Sequence, residues 1–393
     1  MRNFVCILLT VLPVSMLIGQ DKQAGGADAQ PMEQFRFTDK QEEERTILGR
    51  VLVEAQDGGV LVEDQAEWLW NITPAQMKER KKLDSTYSPL SDEERISALK
   101  DEFGIGFEVT ETQHYLVVSN AGPAYSEWSG ALLEKFFGGY MKFWADEEAV
   151  ELTKLDRRLL VVILANKAQF DAFYLRDVGQ QTPGSFGYYS IQKNRVVLYD
   201  FGSDENLTAQ QRQNQTVRDV KKAVKKVPFS VATVVHEAFH QLAFNTGIHT
   251  RYADNPLWLL EGLAMYFETP DMGSGSKWTR IGRTNDWRKD AFKAIRSAIT
   301  VESLEQLTLS DARFQKAETG HAAYAEAWAL TTYLMKRKRK EFMAFILANS
   351  TNPQGVWEKP DKQIEKRTRV FAETIGAPAD FKKTMESYFK RIR

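Results

Sequence analysis

Residues 231–244 read VATVVHEAFHQLAF. Val231, Val234, Val235, Phe239 and Leu242 fall at helical spacing and give an apolar stripe that has to be buried. The same stretch contains His236, Glu237 and His240, the pattern H-E-x-x-H. Positions i and i+4 share one face of a helix, so two imidazoles enter an apolar environment together. Burying polar and ionisable groups without partners costs several kcal/mol, so any fold of this chain must supply those partners. Two imidazoles at this spacing can bind one zinc ion, and Glu237 lies beside them to act on water held by the metal. The plainer alternative is a pair of core or capping histidines.

A zinc site of this kind needs a third protein ligand. The chain has one cysteine, Cys6, so it can form no internal disulfide and no cysteine-based metal site. The ligand must come from His, Asp or Glu, and there are only five histidines. A histidine six residues beyond His240 would give the metzincin pattern, but position 246 is Thr. His249 and Asp254 remain alternatives further along. The stronger feature is NPLWLLEGLAMYFE, residues 255–268. Asn255-Pro256 starts a helix, and Glu261 falls among Leu259, Leu260 and Leu263. A carboxylate in that company needs a cation, a salt bridge or a helix cap. Glu268, seven residues on, lies on the same face and can accept a proton from a ligand histidine.

Around this core the chain divides into regions. Residues 50–63, RVLVEAQDGGVLVE, are two alternating runs flanking Asp57-Gly58-Gly59, a hairpin signal. Trp68-Leu69-Trp70 reads as a further strand, giving a small β module over 41–78. Residues 20–40 read as a flexible lead-in and 79–93, charged and Pro-containing, as a linker. Residues 94–228 carry strand signals at 107–119, 159–164 and 188–199, alternating with helices such as 123–146, which implies a layered sheet. From 229 to 393 the pattern is helical almost throughout. The expected fold is α+β: a mixed sheet with helices, then a mostly helical subdomain, preceded by the β module. At about 150 residues per domain, a chain of 393 residues fits this division.

Composition excludes several classes. The net charge is −1, so no excess of cations is available for nucleic acid. The basic run Lys336–Lys340 reads as a solvated helix end, with nucleic-acid or lipid contact as the alternative. No internal stretch is long and apolar enough to span a bilayer, so no membrane span is expected in the mature chain. The N-terminus has the layout of a secretory signal: Arg2, an uncharged run from Phe4 to Ile18, then Asp21-Lys22. Cleavage is expected near residue 20, or as late as Ala27. The expectation is therefore an exported protein, in the periplasm, cell envelope or medium.

H-E-x-x-H-Q followed some twenty residues later by W-L-x-E-G-x-A-x-Y-x-E resembles the gluzincin zinc metallopeptidases, including the peptidase-MA-like proteins. Over roughly residues 94–390, HEAFHQLAFNTGIHTRYADNPLWLLEGLAMYFETPD, YYSIQKNRVVLYD and AYAEAWALTTYL resemble an exported bacterial domain family of unknown function. The resemblance implies zinc held by His236, His240 and Glu261, Glu237 as general base, and a peptide or protein substrate. It also implies a downstream oxyanion donor, for which Tyr324 is preferred over His321, one turn before it. The gluzincin strand that binds substrate backbone lies at the sheet edge nearest the H-E-x-x-H helix, which points to Val196, Val197, Leu198 and Tyr199. The G-x-M-E-N motif with which aminopeptidases hold the substrate amine is absent upstream, so the resemblance does not extend to that specificity.

Overall fold

The structure, a computed structural model, describes residues 30–181, 185–269 and 278–391. The signal segment and Cys6 lie outside the described residues. The fold is α+β, with two five-stranded sheets and a helical C-terminal half.

The first sheet contains β1 (Pro31–Thr38), β2 (Glu44–Glu54), β3 (Val60–Asp64), β4 (Leu69–Ile72) and β5 (Met77–Thr86). It is antiparallel, in the order β4-β3-β2-β1-β5. Phe35, Phe37, Val60, Val62 and Ile72 form its core. Gly58, at φ 86, closes the β2–β3 turn, where the Gly59 N–H donates to Asp57 Oδ1 at 2.9 Å. Two expectations are corrected here. Residues 31–38 are not a lead-in but an interior strand, because Met32, Phe35 and Phe37 need the sheet's core. Residues 77–86 are not a linker but an edge strand paired to β1. Its charged residues suit an edge: Arg80 holds Glu33 at 2.6 Å, and Lys side chains protect the exposed flank.

After α1 (Asp92–Phe103) the second sheet begins with β6 (Glu108–Glu111) and β7 (Tyr115–Ser119). The single strand expected over 107–119 is a hairpin. Thr112 donates to the Tyr115 carbonyl at 2.9 Å, and Glu134 accepts from the His114 N–H at 2.7 Å. These side contacts turn the chain where Gln113 and His114 interrupt the apolar run. Next come α2 (Pro123–Ala145), β8 (Leu159–Leu164), α3 (Lys167–Val178), β9 (Gly187–Ser190) and β10 (Arg195–Tyr199). The order is β6-β7-β8-β10-β9, with β7, β8 and β10 mutually parallel and the outer strands antiparallel. Period-two alternation divides the faces. Val117, Val161, Ile163, Val196 and Leu198 face the main core, while Val162, Leu164, Val197 and Tyr199 face α3.

The helical half follows α4 (Ala209–Gln213) and α5 (Val217–Val224). It comprises α6 (Phe229–Asn245), α7 (Leu257–Phe267), α8 (Asp286–Ile295), α9 (Val301–Leu309), α10 (Ala312–Gln315), α11 (Ala317–Arg337), α12 (Arg339–Ser350), α13 (Pro360–Thr374) and α14 (Pro378–Arg391). Helix α6 is buried on nearly every side, between the sheet, α2 and α7. Gln241 fixes its height, donating to the carbonyls of Leu160 at 2.9 Å and Asn194 at 3.2 Å. The basic run at the α11–α12 junction is engaged in packing: Lys336 lies over Tyr266, Arg337 over Tyr388, and Arg339 pairs with Glu147. Among the described residues no helix is long and apolar enough to cross a membrane.

Helices α7 and α11 approach closely at Gly262. A Cβ there would fall 2.1 Å from Thr331 Oγ1 and 3.0 Å from the Ala327 carbonyl. Gly262→Ala should therefore destabilise the protein by about 2 kcal/mol in urea unfolding, through overpacking. Gly138 of α2 has nothing within 4 Å of its Cβ position. Gly138→Ala should shift stability the other way, by roughly 0.5–1 kcal/mol.

Candidate metal centre

Helices α6 and α7 bring His236, His240 and Glu261 together, a group that can hold a metal ion. His236 Nε2 lies 3.2 Å from Glu261 Oε2 and 3.2 Å from His240 Nε2. His240 Nε2 is 3.7 Å from Glu261 Oε1. All three side chains are nearly sealed from solvent, with Glu261 1% exposed. His249 and Asp254 do not join this group. His249 is buried against Phe239 and Phe244, and Asp254 Oδ1 is held by Arg367 at 2.6 Å.

The hydrogen bonds around the cluster define its electronics. His236 Nδ1 lies 2.9 Å from Glu268 Oε2. Glu268 is itself gripped by Arg288, from Nε at 2.7 Å and Nη2 at 3.0 Å, and by Asn285 Nδ2 at 3.0 Å. Burial alone would raise the Glu268 carboxyl, but Arg288 and His236 more than offset it and hold it below its ordinary range. A charged Glu268 fixes the proton on His236 Nδ1 and leaves the Nε2 lone pair facing His240 and Glu261. Burial drives the His240 imidazole well below its usual pKa, helped by His236 and His249. Glu261 Oε1 has no hydrogen-bond partner. Nε2 of His236, Nε2 of His240 and the Glu261 carboxylate thus face one another at 3.2–3.7 Å. A divalent cation fits this donor set, since it alone would satisfy all three at once.

Glu237 sits beside the cluster, 4% exposed, and accepts from the backbone N–H of Tyr189 in β9. Its carboxyl is raised to about 7, chiefly by burial, against the lowering effect of His236. Tyr324 lies on α11 with Phe314 edge-on at 5.2 Å. It shares a helix face with Ala327 and Thr331, the residues that meet Gly262, and so belongs to the α7 side of α11. His321, by contrast, is exposed.

The strand expected to be the edge is an interior one. Val196–Tyr199 of β10 pairs with β8 on one side and β9 on the other. Asn194, at φ 49, turns the chain so that the preceding strand folds outside it. The edge beside α6 is β9, Gly187–Ser190. Arg288 and Asn285 were also not foreseen. Arg288 lies on α8 and Asn285 caps its N-terminus, and nothing in their local sequence marks them as partners of Glu268.

Residues 230–354 match the family described as a protein of unknown function, DUF1570. This is narrower than the resemblance over 94–390, but it spans α6 to α12 and so includes every residue of the cluster, Glu268, Arg288 and Tyr324. No curated protein matches the chain.

The raised Glu237 carboxyl has a thermodynamic consequence in metal-free protein. Folded chains keep this proton to about pH 7, whereas unfolded chains release it near 4.5. Unfolding therefore releases a proton in that window, and stability falls as pH rises through it. The difference in unfolding free energy between wild type and Glu237→Gln, measured in chelator, should change by about 3 kcal/mol between pH 4.5 and 7.5. Comparing the two proteins cancels the opposite contribution of the buried histidines. A pH-independent difference would show that Glu237 is ionised throughout.

Proposed function

We propose that this is an exported zinc-dependent hydrolase that cleaves peptide bonds, akin to the gluzincin metallopeptidases. The observation that carries the reading is the three-donor cluster between the H-E-x-x-H helix and α7, with an unpaired Glu261 oxygen and the buried Glu237 carboxyl alongside. Zinc held by His236, His240 and Glu261 would supply Lewis-acid chemistry, acidifying water and polarising the scissile carbonyl. Glu237, buried beside the cluster, then takes the proton from the attacking water and returns it to the leaving amine. Glu268 keeps His236 in the tautomer whose Nε2 can ligate. Tyr324 donates its hydroxyl proton to the oxyanion, with His321 as the alternative donor. The substrate main chain pairs with β9 in place of β10, because β9 is the edge next to Glu237. Export rests on the N-terminal signal pattern.

A second reading draws on the depth of the cluster. With donors only 1–3% exposed, a zinc-bearing binding or structural protein of the cell envelope would also account for the geometry. Glu237 separates the two, since a scaffold has no use for a raised, unligated carboxylate.

The metal is tested by elemental analysis of purified protein, where close to one zinc per chain is expected. His236→Ala, His240→Ala and Glu261→Ala should each lose it, while His249→Ala and Asp254→Ala should not. Full zinc content in the first three variants would remove the assignment.

Catalysis is tested on a mixed peptide library. Glu237→Gln should keep zinc and fold while losing about 10² or more in turnover. Tyr324→Phe should lose on the order of 10²–10³, in kcat more than KM, and His321→Ala should be near wild type. Wild-type turnover in Glu237→Gln would leave the scaffold reading as the better one.

A further inference from the structure

A cavity of about 900 Å3 opens where the β module, the β9–β10 hairpin and the helical half meet. It is large for a ligand site, against a usual span of roughly 300–1,000 Å3. Two of its lining residues are chain neighbours of the site's elements. Leu260 immediately precedes the donor Glu261, and Ser190 ends the edge strand β9. Arg251 helps to fix the module in place. The Arg251 guanidinium donates to the carbonyls of Ile191 at 2.8 Å, Gln192 at 2.8 Å and Glu67 at 3.2 Å. Leu69 of β4 adds a main-chain bond to Gln192 at 2.8 Å.

This joint is strained. Of the four non-glycine residues at positive φ among the described residues, three belong to it: Glu67, Asn194 and Tyr252. Glu67 offers a carbonyl to Arg251, Asn194 closes the hairpin, and Tyr252 follows Arg251 and lines the cavity. Such conformations persist only where the surroundings enforce them, and they gather at functional sites.

The lining chemistry indicates the ligand. Most charges on the wall are already paired: Asp39 with Arg45 at 2.7 Å, Asp177 with Arg195 at 2.7 Å, Asp311 with Arg367 at 3.0 Å. The remaining two, Lys40 and Glu358, are exposed and of opposite sign. Trp70 from the module and Trp357 from the helical half present partly exposed rings. The side-chain amides of Gln41, Asn71, Gln192 and Gln315 have no hydrogen-bond partner among the described residues. Planar amides donate and accept at once, as a hydroxyl does, and aromatic faces stack on the C–H faces of a sugar ring. Lys40 and Glu358 are of opposite sign, so the wall offers no net charge to favour a charged ligand. A peptide adding as a strand would need main-chain partners, and the Ile191 and Gln192 carbonyls are taken by Arg251 and Leu69.

We propose that this cavity binds a neutral oligosaccharide, so that the polypeptide presented to Glu237 is one that carries a sugar chain. The second clause rests on the hydrolase reading; the first does not.

The test is calorimetric titration of full-length Glu237→Gln with neutral hexasaccharides from cellulose, chitin, xylan, mannan and amylose, and with a neutral hexapeptide. At least one saccharide should bind with Kd below about 1 mM, and Trp70→Ala and Trp357→Ala should each weaken it about tenfold or more. Trp70 packs on Phe37 and donates to Asp64, so its removal can disturb the module. Asn71→Ala and Gln192→Ala provide a second pair, expected to weaken binding several-fold with unchanged circular dichroism. No saccharide binding at about 10 mM, or binding indifferent to all four substitutions, overturns the proposal. If the hexapeptide alone binds, and depends on the two tryptophans, the cavity is a peptide channel: the proposal falls and the hydrolase reading stands. If saccharide binding is confirmed while zinc or Glu237-dependent turnover is absent, the hydrolase reading falls and the carbohydrate site remains.

Discussion

Two imidazole nitrogens and a carboxylate are buried 3.2–3.7 Å from one another, where a single cation would satisfy all three. The surrounding structure holds them there. Helix α6 is enclosed on nearly every side, so its histidines cannot turn to solvent. Glu261 is carried in by a helix whose every residue is buried. Glu268, held charged by Arg288, commits His236 to one tautomer. The α6–α7 packing thus holds together a group that can bind a cation.

The supports for α7 illustrate how far that organisation extends. Asp311 caps it by accepting from the Leu257 N–H at 2.9 Å. Arg367, 5% exposed, joins Asp311 to Asp254 just upstream of the helix. Gly262 allows α11 to lie flush against the same helix. Removing a member of such a buried ion network leaves an uncompensated charge, so its effect should be felt at Glu261 although none of these residues touches it. On the other side, Arg251 fastens the β module to the hairpin that carries β9, which ties the position of the module to the edge strand beside Glu237.

The contrast between β9 and β10 shows where a linear pattern stops being informative. Both runs are apolar and short, and RVVLY is the stronger strand signal. Which of them is the edge depends on a turn at Asn194 and on which of the two pairs with β8, and neither is encoded in either run alone. The lead-in and the linker went the same way. PMEQFRFT and MKERKKLDST look polar in isolation, and each finds its partner some 45 residues away in the chain.

By itself the sequence determined the two core helices, the donors on them and the α+β division, because helical period, rare histidines and a carboxylate set among leucines are local facts. The hairpin at Asp57-Gly58-Gly59 and the buried β8 were legible for the same reason. Only the tertiary structure decided that Glu268 is anchored by Arg288 and Asn285, that Asp254 belongs to Arg367, and that β9 is the edge. It also decided that a small β module walls a large cavity beside the β9–β10 hairpin. Each of these depends on side chains from separate elements meeting at hydrogen-bond distance, and pairings over tens of residues leave no trace in the spacing of either partner.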